Sequence, residues 1–318
     1  METKGIEALR NRGVIDAAGV TQHGVLSRVV LCVLVGLSLL AGTNGVAAQD
    51  LTVPGPIADP SVTYLGNAGV FISYAGHGVL IDALVRRGIP PYVTAPADVR
   101  EKLERAESPF DDVDLVLATH DHADHFDAGA VWRHLDYNPS AVFVSTPQAA
   151  ARVLATPSSA ELEDRVIPSY PAEGTRERLS FAAIEFDVLN LHHGRERRPS
   201  VANIGFVIDV EGFRVLHLGD TEADVDELLP YALDSDSIDV VFVPYWHLLS
   251  ESGKRLVDVA IKPRRLVAIH LPAPSAAPSY FTPVRTLDAL VTQLEQDYPG
   301  IVVFREPLQR IELSIGGR

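Results

Sequence analysis

Apolar and polar positions along the chain follow two rhythms. Short runs with strand-like patterning fall at Val62–Leu65, Val70–Tyr74, Val79–Asp82, Val113–Thr119, Ala141–Ser145, Ile184–Leu191, Asn203–Asp209, Val215–Leu218, Ile238–Val243, Leu266–His270 and Ile301–Phe304. Amphipathic runs predict helices over Pro96–Glu107, Asp127–Leu135, Pro147–Leu154, Ala223–Leu229, Gly253–Ile261 and Pro283–Asp297. Early strands succeed one another through glycine turns such as Tyr74-Ala75-Gly76-His77-Gly78, whereas helices separate the later ones. That mixture predicts an α/β domain of mixed sheets covered by helices, with room for two similar halves. One connection is long: Arg86 to Phe110 carries Pro90-Pro91-Tyr92, a helix and Ser108-Pro109-Phe110. Connections of that size either serve function or only cover the sheet.

The amino-terminal segment has a different pattern. Val29–Ala41 is an unbroken apolar run, preceded by Arg28 and followed by small residues that end in Val46-Ala47-Ala48. Such a run is shorter than the roughly 20 residues of a membrane-spanning helix. Its layout predicts a signal peptide over residues 1–48, cut before Gln49, or an amino-terminal anchor if it is left uncut. Residues 49–318 are then the folded domain, exported to the periplasm or the exterior, and they meet a membrane only through an uncleaved leader.

Composition narrows the function. The chain is 47% hydrophobic and 22% charged, a balance that supports a packed core rather than disorder. Its formal net charge is -15, and the leader holds as many basic as acidic residues to within one, so the acidity belongs to the domain. That charge argues against a nucleic-acid partner, which needs a basic face, and favours a small-molecule substrate, with local basic patches left open. Oligomeric state is open. The single cysteine, Cys32, lies inside the leader's apolar run, so thiolate metal sites, iron–sulfur clusters and intramolecular disulfides are excluded from the domain.

The densest chemistry follows the strand Val113–Thr119. His120-Asp121-His122-Ala123-Asp124-His125 places three imidazoles and two carboxylates within six residues at a strand's carboxyl end, where α/β proteins build ligand sites. Burying such groups unpaired is costly, and a divalent cation compensates them. Residues two apart in extended chain point the same way, so His120 and His122 can share one ion. Asp124 and His125, at the expected start of the next helix, can face a second.

The H-x-H-x-D-H hexad resembles the signature of the metallo-β-lactamase fold hydrolases. That resemblance implies an αββα sandwich of two mixed sheets flanked by helices, with one or two metals at an edge. It also implies a further His, a bridging Asp and a last His, each at a strand end, and the chain offers His192-His193, Asp220 and His270 there. Neighbours in a strand face opposite sides, so one of the His pair binds, and His193 beside Gly194 is preferred over His192. Asp220 could instead cap the helix near Ala223, and His270 could be a core histidine. The implied assignment gives one ion His120, His122 and His193, and the other Asp124, His125 and His270, with Asp220 bridging. Asp124 and Asp220 are the catalytic carboxylates of that reading.

The implied activity is hydrolysis of an ester, lactone, amide or phosphodiester bond by a water acidified between two divalent ions, zinc first, with manganese or iron as alternatives. Tyr64-Leu65-Gly66-Asn67-Ala68-Gly69-Val70 and His217-Leu218-Gly219-Asp220 bring the chain nearest to the hydrolases similar to L-ascorbate-6-phosphate lactonase. An iron-binding redox or sensor protein and a non-catalytic metal binder are the other readings. Asp82 is a candidate for orienting a metal-bound His, His217 for packing or for supporting a ligand, and His247 for donating to a developing oxyanion or for standing solvated or packed on aromatics.

Overall fold

The computed structural model describes residues 60–313 apart from 158, 195–200, 211, 223 and 275–285. The leader expected over residues 1–48, with its cleavage or anchoring, lies outside the described residues. Among the described residues no helix is long and apolar enough to cross a membrane.

The first half supplies β1 (Ser61–Gly66), β2 (Gly69–Tyr74), β3 (His77–Ile81), β4 (Val113–Ala118), β5 (Val142–Ser145) and β6 (Val166–Pro168). The second supplies β7 (Arg176–Phe181), β8 (Ile184–His192), β9 (Ala202–Val210), β10 (Phe213–His217), β11 (Val240–Pro244), β12 (Arg265–Ile269) and β13 (Val302–Val303), and β14 (Arg310–Glu312) closes the chain. They form two seven-stranded sheets, ordered β14-β1-β2-β3-β4-β5-β6 and β13-β12-β11-β10-β9-β8-β7. In each half an antiparallel meander turns into a parallel run, at β3 in the first and at β10 in the second. The two similar halves left open by the sequence are therefore present, and β14 returns to pair with β1 of the first sheet.

Side-chain alternation explains the layers. Ile72, Ile81, Leu117, Phe206, Phe242 and Val267 point between the sheets and make one apolar layer. Residues of opposite parity, such as Leu80, Val116 and Phe143 in the first sheet and Leu216, Val241 and Ala268 in the second, face outward under helices. Parallel strands covered on both faces must be apolar at both parities, which is why β4, β11 and β12 read as nearly continuous hydrophobic runs.

The helices are α1 (Ala97–Glu104), α2 (Ala128–Tyr137), α3 (Pro147–Leu154), α4 (Val225–Leu228), α5 (Tyr245–Leu248), α6 (Glu251–Arg255) and α7 (Leu287–Asp297), with α6 continuing as a π-type turn over Leu256–Ile261. Side-chain caps set several starts: Asp127 accepts from Ala130 N, Thr146 from Ala149 N ahead of Pro147, and Thr286 from Ala289 N. The start expected at Pro283 lies outside the described residues. Strands β6, β7 and β14 and helix α5 are additions to the pattern-based reading. Strand β7, Arg-Glu-Arg-Leu-Ser-Phe, escapes a search for apolar runs because it is an edge strand whose charged side chains stay partly in water.

Phe242 is fully buried between the sheets. Phe242→Ala should lower the unfolding free energy by about 3–5 kcal/mol, read from urea denaturation, and a loss below about 1 kcal/mol would contradict this packing.

Candidate metal centre

Parallel pairing of β3 with β4, of β10 with β11 and of β11 with β12 brings the carboxyl ends of these strands to one edge in each sheet. His120 lies just past β4, His193 past β8, Asp220 past β10 and His270 past β12. Asp124 and His125 are not at a helix start as expected from the sequence. They occupy a turn in which His125 N and Phe126 N both donate to His122 O, and α2 begins only at Ala128. Asp127 N donates to Leu84 O and pins that turn against the chain leaving β3. Asp121, the hexad's other carboxylate, points away and accepts from Arg152 Nη1 at 3.4 Å.

All seven expected ligands converge. Three sets place donor atoms within 4.8 Å of one another: His120, His122 and His193; His120, His125 and Asp220; Asp124, His125 and His270. In the first set His122 Nδ1 lies 2.9 Å from His120 Nε2 and 3.2 Å from His193 Nε2. In the last, His125 Nε2 is 3.1 Å from His270 Nε2, and Asp124 Oδ2 is 3.4 Å from His270 Nε2. Asp220 lies against both: its Oδ1 is 3.3 Å from His125 Nε2 and its Oδ2 is 3.3 Å from His270 Nε2. Tetrahedral zinc with bonds of about 2.0–2.1 Å separates its donors by about 3.3 Å, and these distances bracket that edge. Asp220 Oδ1 and His270 Nδ1 are also buried without a hydrogen-bond partner of normal geometry. The residues fit a divalent metal centre.

The surrounding hydrogen bonds fix which nitrogens are offered. Asp82, buried at the end of β3, accepts from Thr119 N at 2.7 Å and from Thr119 Oγ1 at 2.8 Å, and its Oδ2 lies 2.8 Å from His125 Nδ1. His125 therefore carries its proton on Nδ1 and presents Nε2 as a lone pair. Thr119 Oγ1 has given its only proton to Asp82, so the 3.0 Å contact with His120 Nδ1 must be donated by the ring, which again leaves Nε2 as a lone pair.

Protonation tendencies agree with a site that calls for positive charge. Burial, then the neighbouring His125, pushes His120 well below its ordinary value, so it is neutral as a ligand must be. Burial would raise the Asp220 carboxyl, but His270 and His125 outweigh it and hold the group well below the usual carboxylate range. Burial would lower His125 and His270, yet the facing carboxylates, Asp220 first, raise both. With no cation at hand the carboxylates recruit protons onto these two imidazoles, a demand that divalent ions meet directly.

The His192–His193 alternative resolves by geometry. His193 joins His120 and His122, with ring centroids at 4.8 and 4.9 Å. His192 turns the other way, its Nδ1 2.7 Å from Glu227 Oε1 and its Nε2 2.9 Å from Glu173 Oε1. The helix near Ala223 is capped by Asp224, which accepts from Asp226 N, so Asp220 is free of that duty. His217 is a buried tether that connects the turn after β1 to the turn after β10: its Nε2 is 3.0 Å from Ala68 O and its Nδ1 accepts from Gly219 N at 3.1 Å. Gly219 has φ +59, and a Cβ there would sit 2.6 Å from Asn203 Oδ1 and 2.7 Å from Thr119 Cβ, so only glycine lets Asp220 approach this closely. His247 donates to the Thr221 carbonyl and leaves Nε2 buried without a partner, while burial lowers its pKa to about 4. At neutral pH that Nε2 is a lone pair, so the donor role considered for His247 is not available.

Three neighbours of the ligands carried no assigned role in the sequence reading. Asn67, in the turn after β1, donates from Nδ2 to Asp124 O at 3.0 Å, lies 3.3 Å from Asp124 Oδ2, and accepts from His270 N at 2.8 Å through its carbonyl. Its φ of 50° is the left-handed conformation that Asn tolerates, and the Gly-Asn-Ala-Gly turn signature was the available clue. Tyr92 and Trp246 lie edge-on to His270, with centroids at 4.0 and 4.6 Å. Burial, then Tyr245, Asp220 and Asp124, raises the Tyr92 phenol, so its hydroxyl stays protonated.

Comparison with known proteins agrees with this geometry. Residues 61–270 match the family model of the beta-lactamase superfamily domain, so the chain belongs to that family, and its paired mixed sheets are the metallo-β-lactamase fold. A UPF0173 metal-dependent hydrolase of Pyrococcus abyssi is 26% identical over 234 residues, which cover 69% of this chain and 89% of that one. Igni18, a metallo hydrolase from Ignicoccus hospitalis, superposes with a TM-score of 0.51 at 18% identity, over 80% of this chain and 98% of its own. CmlA, a diiron β-hydroxylase from Streptomyces venezuelae, shares the fold with a TM-score of 0.51 at 17% identity, over 80% of this chain and 54% of the longer protein.

Two substitutions separate ligands from bystanders. His193→Ala should lower bound metal measured by elemental analysis, whereas His192→Ala should leave it unchanged. Asp82→Ala should weaken metal affinity by about 10–100-fold in competition with a chromogenic chelator, because it frees the orientation of His125.

Proposed function

We propose that the chain is a dinuclear metal-dependent hydrolase, with zinc as the resident ion, that cleaves an ester, lactone, amide or phosphodiester bond. The observation that carries this reading is the Asp220 carboxylate, whose two oxygens each lie 3.3 Å from a different imidazole, His125 and His270, beside the His120 set. Divalent ions in such a site supply Lewis acidity, easing loss of a proton from water near neutral pH and polarising a carbonyl or phosphoryl oxygen. The similar proteins of Pyrococcus abyssi and Ignicoccus hospitalis, a metal-dependent hydrolase and a metallo hydrolase, support the same class.

The chain's own contributions follow from the contacts. His120 and His125 are each held through Nδ1, which turns Nε2 of both rings toward the other donors of the site. Asn67 fixes Asp124 and His270 together and keeps the two ends of that set in register. Asp220 remains an anion and lowers the net positive charge of the loaded site. His247 Nε2, neutral and buried near Asp220, can accept a hydrogen bond from a substrate or product hydroxyl. His and Asp donors also suit iron, and the diiron CmlA fold makes iron the second reading. Export through the Val29–Ala41 run remains part of the proposal.

Elemental analysis with a substrate panel tests the reading. The metal-loaded protein should carry two ions per chain, turn over at least one chromogenic ester, lactone, phosphodiester or cephalosporin, lose activity on chelation and regain it with zinc. Asp220→Ala should lower kcat/KM by more than about 100-fold and reduce metal content. Full activity with unchanged metal in that variant would overturn the bridging role.

A further inference from the structure

The long connection after β3 is carried onto the site rather than away from it. Three contacts fix it there. Ala273 N donates to Pro91 O at 2.8 Å, Tyr92 forms a β-bridge with Pro272 just beyond His270, and Gly66 lets the backbone pass so close that a Cβ would lie 2.6 Å from Val93 O. Tyr92 thereby reaches the last ligand from one element while Trp246 reaches it from α5. Both rings meet His270 edge-on, at interplanar angles of 89° and 70°.

Holding His270 does not require both rings. Its backbone N–H is bonded to Asn67 O, and its side chain lies in a set with Asp124 and His125. Aromatic rings used only for packing are drawn fully into the interior, as Tyr245 is beside Trp246. Tyr92 and Trp246 instead are only half-buried where they pack against the apolar cluster beneath the second sheet, so neither residue beside His270 is closed off from water. Binding pockets combine such apolar walls with a few polar groups that orient the ligand.

We propose that Tyr92 and Trp246 form a specificity wall on the His270 side of the centre, and that the substrate is an ester or lactone with an apolar acyl portion that packs against it. This rests on the hydrolase reading above. The insertion between β3 and β4 is thus part of the substrate site, and it selects the group next to the bond that is cleaved.

The test compares p-nitrophenyl acetate with p-nitrophenyl hexanoate on the metal-loaded full chain, and separately the binding of acetate and hexanoate ions by calorimetry. Wild-type protein should favour the hexanoyl ester in kcat/KM and bind hexanoate more tightly. Trp246→Ala and Tyr92→Ala should lower kcat/KM for hexanoyl at least about tenfold more than for acetyl, mainly through KM, with metal content unchanged and Trp246→Phe restoring most of the difference. Equal loss on both esters, no chain-length preference in the wild type, or a fall in metal content would overturn the wall and reduce the rings to supports of His270. Tight hexanoate binding that both variants lose, without turnover of either ester, would keep the wall and remove ester hydrolysis from the reading instead.

Discussion

One buried carboxylate organises the centre. Asp82 takes hydrogen bonds from Thr119 N, Thr119 Oγ1 and His125 Nδ1. Its own φ of 49° aims it across the carboxyl ends of β3 and β4 rather than along the strand. A carboxylate this deep is tolerated only when its lone pairs are filled, and filling them dictates the tautomers of two imidazoles. Through Thr119 it reaches His120, and directly it reaches His125, so one member of each outer ligand set takes its orientation from the same group. Strained backbone recurs around it, at Asn67, Asp82 and His270, each with positive φ and each on the site. Such strain persists only where the surrounding contacts over-determine it.

Much of this was legible in the sequence because metal sites use residues that a core avoids. The hexad crowds five ionisable groups together, of which the structure turns four toward the centre and Asp121 away, and the later His193, Asp220 and His270 each follow an apolar strand. Strands with apolar residues at both parities were visible for the same reason: a sheet covered on both faces leaves no polar positions to blur the run. The apolar rhythm failed at the edges. Strand β7 is half-solvated, β6 and β14 have three residues each, and α5 is a single turn, so none carries a period long enough to read.

The positions of Asn67, Tyr92 and Trp246 were hidden for a different reason. Their importance depends on contacts across the fold, between the turn after β1, the insertion after β3 and the turn after β11, and spacing along the chain does not encode proximity of that kind. The His192–His193 pair shows the converse. Strand alternation required one of them to leave the site, and the choice was settled by where Glu173 and Glu227 stand to receive the other.

The division of ligands between the halves has an energetic consequence. The first half supplies His120, His122, Asp124 and His125, and the second supplies His193, Asp220 and His270. No set of donors is complete until the two sheets dock through their shared apolar layer. Ions that bind the docked form and not the separated halves stabilise it by mass action, by about 2.7 kcal/mol at a free concentration 100 times the dissociation constant. Conversely, the apolar layer brings like-charged carboxylates and close imidazoles together before any ion compensates them, so packing must hold the empty site against its own electrostatics. The centre and the core are therefore coupled: burial between the sheets brings the ligands together, and filling the centre returns part of that cost as stability of the interface.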